Sequence, residues 1–178
     1  TGNFGGVEVL SRWKSPELGV VQPTEFIAAL EKGRLIEHHT RHVLDMVRSE
    51  SAEIAARSGQ HFRYAVNVSP HLIHTGWIVD YLDRDDSIDP ETIEFELTES
   101  VFMGDEADVI QKVQRIREKG FVLSIDDFGT GYSNLRYLHQ FKVQYLKIDK
   151  EFVVKMKENE DNLEIIKAII SMARSLGI

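Results

Sequence analysis

Oxygen-bearing side chains recur at the ends of short apolar runs, and that pattern carries the chemistry. Glu8 lies in Val7-Glu8-Val9-Leu10, and Asn67 follows Tyr64-Ala65-Val66. Glu96 and Glu99 lie in Glu94-Phe95-Glu96-Leu97-Thr98-Glu99, and Asp126-Asp127 follows Leu123-Ser124-Ile125. Lys147 and Asp149 lie in Tyr145-Leu146-Lys147-Ile148-Asp149-Lys150. Taken singly, an acid after a strand is ordinarily a turn or a helix cap, and Asn67-Val68-Ser69-Pro70 alone is a helix start with Ser69 as N-cap. Taken together, carboxylates on three strand ends, with one amide beside them, repel one another unless a cation joins them. Hard oxygen ligands suit Mg²⁺, Mn²⁺ or Ca²⁺ and argue against a zinc site built on sulfur or imidazole. Adjacent aspartates such as Asp126 and Asp127 can bridge two ions about 3.5–4 Å apart, as in two-metal phosphoester hydrolysis. Lys147 beside them can steady an attacking hydroxide or a developing phosphate charge.

The elements that must position these residues follow a rough period. Strand-like runs occur at Val7–Leu10, Tyr64–Val68, Ile93–Leu97, Val122–Ile125 and Tyr145–Ile148. The gaps between them read as helix. Asp105–Lys119 places Val109, Ile110, Val113 and Ile116 on one face, and Asp161–Leu176 does the same with Leu163, Ile166, Ile169, Ile170 and Ala173. Thr24–Ser58 reads as two helices broken near Gly33, with Thr24 as N-cap, and Trp77–Arg84 as a shorter one. Alternating strand and helix implies a mainly parallel sheet, and apolar strand centres imply burial on both faces. An open doubly wound sheet gathers its ligand groups at one switch point. Here the polar groups spread over several C-terminal strand ends, which favours an α/β fold of the (β/α)8 TIM-like barrel type.

The same motifs resemble the EAL domain, the cyclic-di-GMP phosphodiesterase family of bacterial signalling, in order along the whole chain. Glu8-Val9-Leu10-Ser11-Arg12-Trp13 is similar to the signature EALLRW, with Val9 for alanine and Ser11 for an aliphatic residue. Pro23 with Phe26-Ile27 is similar to P-x-x-F-I, Asn67-Val68-Ser69 to N-x-S and Glu96-Leu97-Thr98-Glu99 to E-[IL]-T-E. The run Asp126 to Ser133 is DDFGTGYS without change, and Lys147-Ile148-Asp149 is KID. The resemblance implies that Glu8, Asn67, Glu96 and Asp126 are ligands of one metal. It implies that Asp127 holds a second, bridged by Asp126, the ions being Mg²⁺ or Mn²⁺. Lys147 is implied to hydrogen-bond the water that the metal holds, and Arg12 to grip a substrate phosphate. Glu99 is implied to brace the Asp127–Ser133 loop, which in the family links the metal site to a dimer interface. Glycines in such a loop tolerate φ > 0. The implied reaction is hydrolysis of cyclic-di-GMP to linear pGpG by a homodimer, with sensory or cyclase domains in the parent chain. Two alternatives stand beside it: a catalytically silent cyclic-di-GMP receptor, and a regulatory interaction domain.

Residues 1–178 are expected to form a partial EAL domain with five of eight strands, lacking the first strand and the last two. The family's A-E-G-V-E strand, whose first glutamate is the candidate general base or a further ligand, is expected after Ile178. Five such strands are not expected to close a barrel as a monomer.

Composition narrows the alternatives. The chain has 178 residues, no cysteine, 42% hydrophobic and 28% charged residues and a net charge of −8. Zero cysteines exclude disulfides and thiolate metal sites. The acidic balance disfavours long nucleic acid, which is bound by neutralising many phosphates, but permits a small phosphorylated ligand held through metals. Apolar runs fall far short of the roughly 18–20 residues of a membrane span, and Thr1–Trp13 has no basic-then-apolar leader. No membrane contact by this segment and a cytoplasmic location are expected, although some EAL parents are membrane-anchored. His38-His39 is expected on a solvated helix face, Trp13 in packing at the end of the first strand, and Lys155–Asp161 in a solvated loop or helix face.

Overall fold

The structure is a computed structural model, and it describes residues 6–103, 106–129, 135–157 and 159–178. Its strands are β1 (Gly6–Val9), β2 (Trp13–Ser15), β3 (Gly19–Val21), β4 (Arg63–Asn67), β5 (Ile93–Thr98), β6 (Val122–Phe128) and β7 (Tyr145–Ile148). Its helices are α1 (Pro23–Lys32), α2 (Ile36–Ser58), α3 (Pro70–His74), α4 (Trp77–Arg84), α5 (Glu106–Glu118), α6 (Leu135–Phe141), α7 (Lys150–Lys155) and α8 (Glu160–Leu176), with a 3₁₀ turn at Glu99–Phe102. The five expected strands form one parallel sheet in the order β1-β4-β5-β6-β7.

Strand pleating sorts this sheet into two chemically different faces. The registers pair Glu8 with Ala65, Asn67 with Glu96 and Thr98 with Asp126, so these residues share a face. The other face carries Tyr64, Val66, Ile93, Phe95, Leu97, Leu123 and Ile125, each at most 6% exposed, in one core with the helices. α2 buries Ile36, Thr40, Val43, Leu44 and Val47, a single stripe at helical spacing. α5 contributes Val109, Val113 and Ile116. An apolar outer face under helices and a polar inner face are what a barrel wall requires. The sheet is open: β1 and β7 each pair with a single strand among the described residues.

Several local expectations change. Trp13 does not end β1: it opens a two-stranded antiparallel hairpin with β3, and its ring meets Phe26 edge-on at 6.2 Å. The N-cap of α1 is Gln22, not Thr24, because Pro23 lacks an N–H and sits at the first helical position. Glu25 Oε2 accepts the Gln22 N–H at 3.4 Å. The break near Gly33 is present, with Arg34 at φ 56° between α1 and α2. His38 is exposed as expected, but His39 is half-buried with its ring 6.2 Å from Phe26. α8 buries Ile166 and Ile169 and leaves Leu163 and Ile170 exposed. The charge run from Lys155 holds the end of α7 and the start of α8, and Asn159 caps α8 by accepting the Asp161 N–H at 2.8 Å.

Candidate metal centre

The C-terminal ends of β1, β4, β5 and β6 bring the strand-end residues together. Carboxylate oxygens of Glu8, Glu96 and Asp126 all lie within 4.8 Å of one another. Asn67 joins them: its Nδ2 donates to Glu8 Oε1 at 3.3 Å, which leaves its amide oxygen available as a further ligand. These four sequence-predicted ligands therefore form one group. Lys147, on the same face of β7, places its ammonium against Glu96 Oε1.

The electrostatics of this group ask for a cation. Glu96 is 1% exposed, and its Oε2 is buried with no hydrogen-bond partner among the described residues. A buried carboxylate is costly unless paired and fully hydrogen-bonded. Burial, then the negative charges of Glu8 and Asp149, push the Asp126 carboxyl above the usual carboxylate range, against a hydrogen bond from the Asp127 backbone. Lys147 supplies one positive charge against three carboxylates, which leaves two negative charges for a divalent ion to balance. Oxygen donors without sulfur or imidazole suit a hard ion. The residues present therefore fit a divalent metal.

Asp127 is held apart from the cluster by the backbone. The pairing of β6 with β7 shifts between Ile125 and Phe128, so β6 carries one extra residue there. Asp127 sits in that bulge at φ 51°, a left-handed conformation that aspartate tolerates better than most residues. A bulge re-aims side chains, and Asp127 lines the same cavity as Asn67 and Arg12. Partial burial, then the charges of Asp126 and Asp149 and a hydrogen bond with Asp149, raise its carboxyl, with Lys150 opposing. Asp149 also caps α7, accepting the Glu151 N–H at 2.6 Å. The sequence placed Asp149 at this strand end through the KID run without giving it a part in the site.

Glu99 reaches the loop it was expected to brace, its Oε1 accepting the Gly129 N–H at 2.9 Å. Gly129 adopts φ +105°, and a side-chain carbon there would lie 2.8 Å from Phe152 Cε2, so glycine is required. The remainder of the loop, residues 130–134, lies outside the described residues. Arg12 is exposed and lines, with Asn67, Thr98 and Asp127, a cavity of about 400 Å³, and its guanidinium donates to the Ser11 carbonyl at 2.9 Å. A second, largely apolar groove of about 810 Å³ runs beside β1, past Val7, Leu10, Trp13, Leu35 and Met46.

The EAL domain family model matches residues 1–178. The chain is 34% identical over 180 residues to a probable cyclic di-GMP phosphodiesterase, PdeG of Escherichia coli (strain K12), covering 99% of this chain and 36% of that protein. It is 30% identical over 180 residues to the cyclic di-GMP phosphodiesterase RocR of Pseudomonas aeruginosa, covering 99% of this chain and 46% of the relative. The chain thus spans less than half of the length of these curated relatives. Among solved structures, "PaMucR Phosphodiesterase, c-di-GMP complex" superposes with a TM-score of 0.86 at 33% identity, covering 99% of this chain and 73% of that one. The five parallel strands, polar on one face and helix-covered on the other, are accordingly a partial TIM-like barrel, and the chain belongs to the EAL domain family.

Proposed function

We propose that this segment is the metal- and phosphate-binding part of a phosphodiesterase that opens cyclic-di-GMP to linear pGpG. The observation that carries the proposal is the cluster of Glu8, Glu96 and Asp126 around a buried, unpartnered Glu96 oxygen. PdeG, RocR and the MucR structure in complex with c-di-GMP support the choice of substrate.

Glu8, Asn67, Glu96 and Asp126 are the residues that would hold one Mg²⁺ or Mn²⁺, and Asp127 is the residue that would hold a second beside it. Such ions polarise the phosphoryl oxygen and lower the pKa of water. The remaining work falls to the chain. Arg12 is exposed and lines the cavity, where a guanidinium can grip a phosphate through parallel N–H donors. Lys147, fixed by Glu96, places an ammonium beside the cluster to hydrogen-bond the attacking water and offset charge that develops on the phosphate. Water bonds to phosphorus and gives up a proton, one P–O bond to ribose breaks, and the leaving ribose alkoxide takes up a proton to become a hydroxyl. Glu99 holds the Gly129 end of the loop that follows the aspartates. Residues 1–178 form part of the barrel domain of a homodimeric signalling protein. In support, Val7, Leu10 and Trp13 stand 42–51% exposed along the open edge of β1, where further elements of the barrel can pack.

The test is conversion of cyclic-di-GMP by the full-length protein with Mg²⁺ or Mn²⁺, read by chromatography, beside Glu8→Ala. Metal-dependent pGpG formation that falls at least about 100-fold in Glu8→Ala supports the proposal, since even groups that only orient ligands are worth 10–100-fold. Binding of cyclic-di-GMP without pGpG would make the protein a receptor instead.

A further inference from the structure

The site rests on Asn67, yet Asn67 stands exposed at the end of β4 with a flexible side chain. What fixes it is the pair of residues that follow, one through its backbone and one through its side chain. Val68 is 3% exposed and donates its N–H to the Glu96 carbonyl at 2.9 Å, which ties this segment to β5. Ser69 ties it to a different element. Its Oγ donates to Glu31 Oε1 at 2.6 Å and accepts the His71 N–H at 3.2 Å. Ser69 and Glu31 are both half-buried, and 38 residues separate them in sequence.

The chemistry of this contact gives it a direction. A hydroxyl has one proton, and an ionised carboxylate can only accept. Glu31 therefore commits the Ser69 proton to α1 and leaves the Ser69 lone pairs to the α3 N-terminus. Glu31 itself sits on a firm base, because α1 is pinned by buried Phe26 and capped by Gln22. The same helix follows the hairpin that comes after Arg12, and Arg12, Glu31, Asn67 and Ser69 line one cavity. One carboxylate so links the phosphate-gripping segment to the ligand-bearing turn.

We propose that Glu31 is a positioning residue for the metal centre: through Ser69 it fixes the turn after β4 and thereby the Asn67 amide beside Glu8. The inference rests on the metal site proposed above. Groups that orient ligands in this way are typically worth 10–100-fold in metal affinity. Glutamine keeps the accepting oxygen at the same reach. Aspartate draws it back by one methylene, out of hydrogen-bond distance from a 2.6 Å contact.

The experiment measures Mn²⁺ binding to the full-length protein by electron paramagnetic resonance, with a thermal melt of each variant. The variants are Glu31→Gln, Glu31→Asp, Glu31→Ala, Ser69→Ala and the double Glu31→Ala/Ser69→Ala. Glu31→Ala and Glu31→Asp are expected to weaken Mn²⁺ binding about 10-fold or more, and Glu31→Gln to stay within about 3-fold of wild type. The double variant is expected to bind no worse than Ser69→Ala alone, the signature of two residues acting through one contact. Three results would overturn the inference: Glu31→Ala with wild-type affinity and only a lowered melting temperature, Glu31→Gln as weak as Glu31→Ala, or fully additive losses in the double variant. A wild-type protein that binds no Mn²⁺ would remove the metal site itself and this inference with it.

Discussion

Replacing Glu96 by glutamine should separate what this side chain does for the metal from what it costs the fold. Glu96 is buried at 1% exposure, within 4.8 Å of two other carboxylates, and faces Lys147. At an effective dielectric of about 20, two like charges at that outer separation repel by about 3.5 kcal/mol, so Glu96 takes part in about 7 kcal/mol of repulsion. Its attraction to Lys147, in direct contact, returns about 5.5 kcal/mol on the same scale at an ordinary ion-pair separation of about 3 Å. Glu8 is exposed and the Lys147 side chain is 35% exposed, so solvent screens both figures, and a net relief of about 1 kcal/mol is the expectation. Glutamine keeps the volume and removes the charge. Without metal, Glu96→Gln should therefore melt about 2–4 °C higher than wild type. With Mn²⁺ at 100 times its dissociation constant, wild type should gain about 2.7 kcal/mol, hence about 5–10 °C, and the variant should gain almost none. Scanning calorimetry of the full-length protein in EDTA and in Mn²⁺ reads both shifts. A variant that melts several degrees lower in EDTA yet keeps the Mn²⁺ shift would refute the reasoning, because Glu96 would then be a structural ion-pair partner and not a metal ligand.

Further predictions follow from other parts of the site. Arg12→Ala should weaken cyclic-di-GMP binding about ten- to hundred-fold by isothermal titration, the range for a lost charge-assisted hydrogen bond of about 1.5–3 kcal/mol; unchanged affinity would remove Arg12 from the phosphate site. Gly129→Ala must place a side chain at φ +105° and 2.8 Å from Phe152, so a loss of about 2 kcal/mol and a melting temperature lower by about 4–8 °C are expected. Burial, followed by the neighbouring charge of His42, lowers the pKa of His39. The unfolded chain then takes up a proton near pH 6.5 before the folded protein does, so stability should fall as pH drops below that value. His39→Gln should flatten this slope in melts from pH 7.5 to 5.5, and an unchanged slope would assign it to other groups.

The sequence made strands visible where burial forces a continuous apolar run. Val122–Ile125, with three of its four residues buried, could hardly be read otherwise, and Trp77–Arg84 and the break at Gly33 were equally legible. The β2–β3 hairpin was not, because three-residue strands on an exposed rim leave no pattern to count. α7 was missed for the same reason: six residues are too few for a period. Glu8, Asn67, Glu96 and Asp126 were legible as oxygen groups at strand ends, and as one ligand set through the resemblance of their motifs to the EAL family; strand order and pleating then bring them to one face. The position of Asp127 was not, since it depends on a one-residue bulge and a left-handed φ that no local residue pattern announces. Contacts between distant elements were also hidden. The Glu31–Ser69 hydrogen bond joins residues that each look like ordinary helix-surface and N-cap choices. The Lys147–Glu96 pair becomes visible only when β7 lies two strands from β5.

The most direct test of the metal centre is anomalous diffraction from crystals of the Mn²⁺-soaked protein. A peak is expected about 2.0–2.4 Å from oxygens of Glu8, Asn67, Glu96 and Asp126 together, a range set by Mg²⁺- and Ca²⁺-type oxygen coordination. Ordered manganese that leaves Glu96 still paired with Lys147 alone, or that binds only at Asp127 and Asp149, would contradict it.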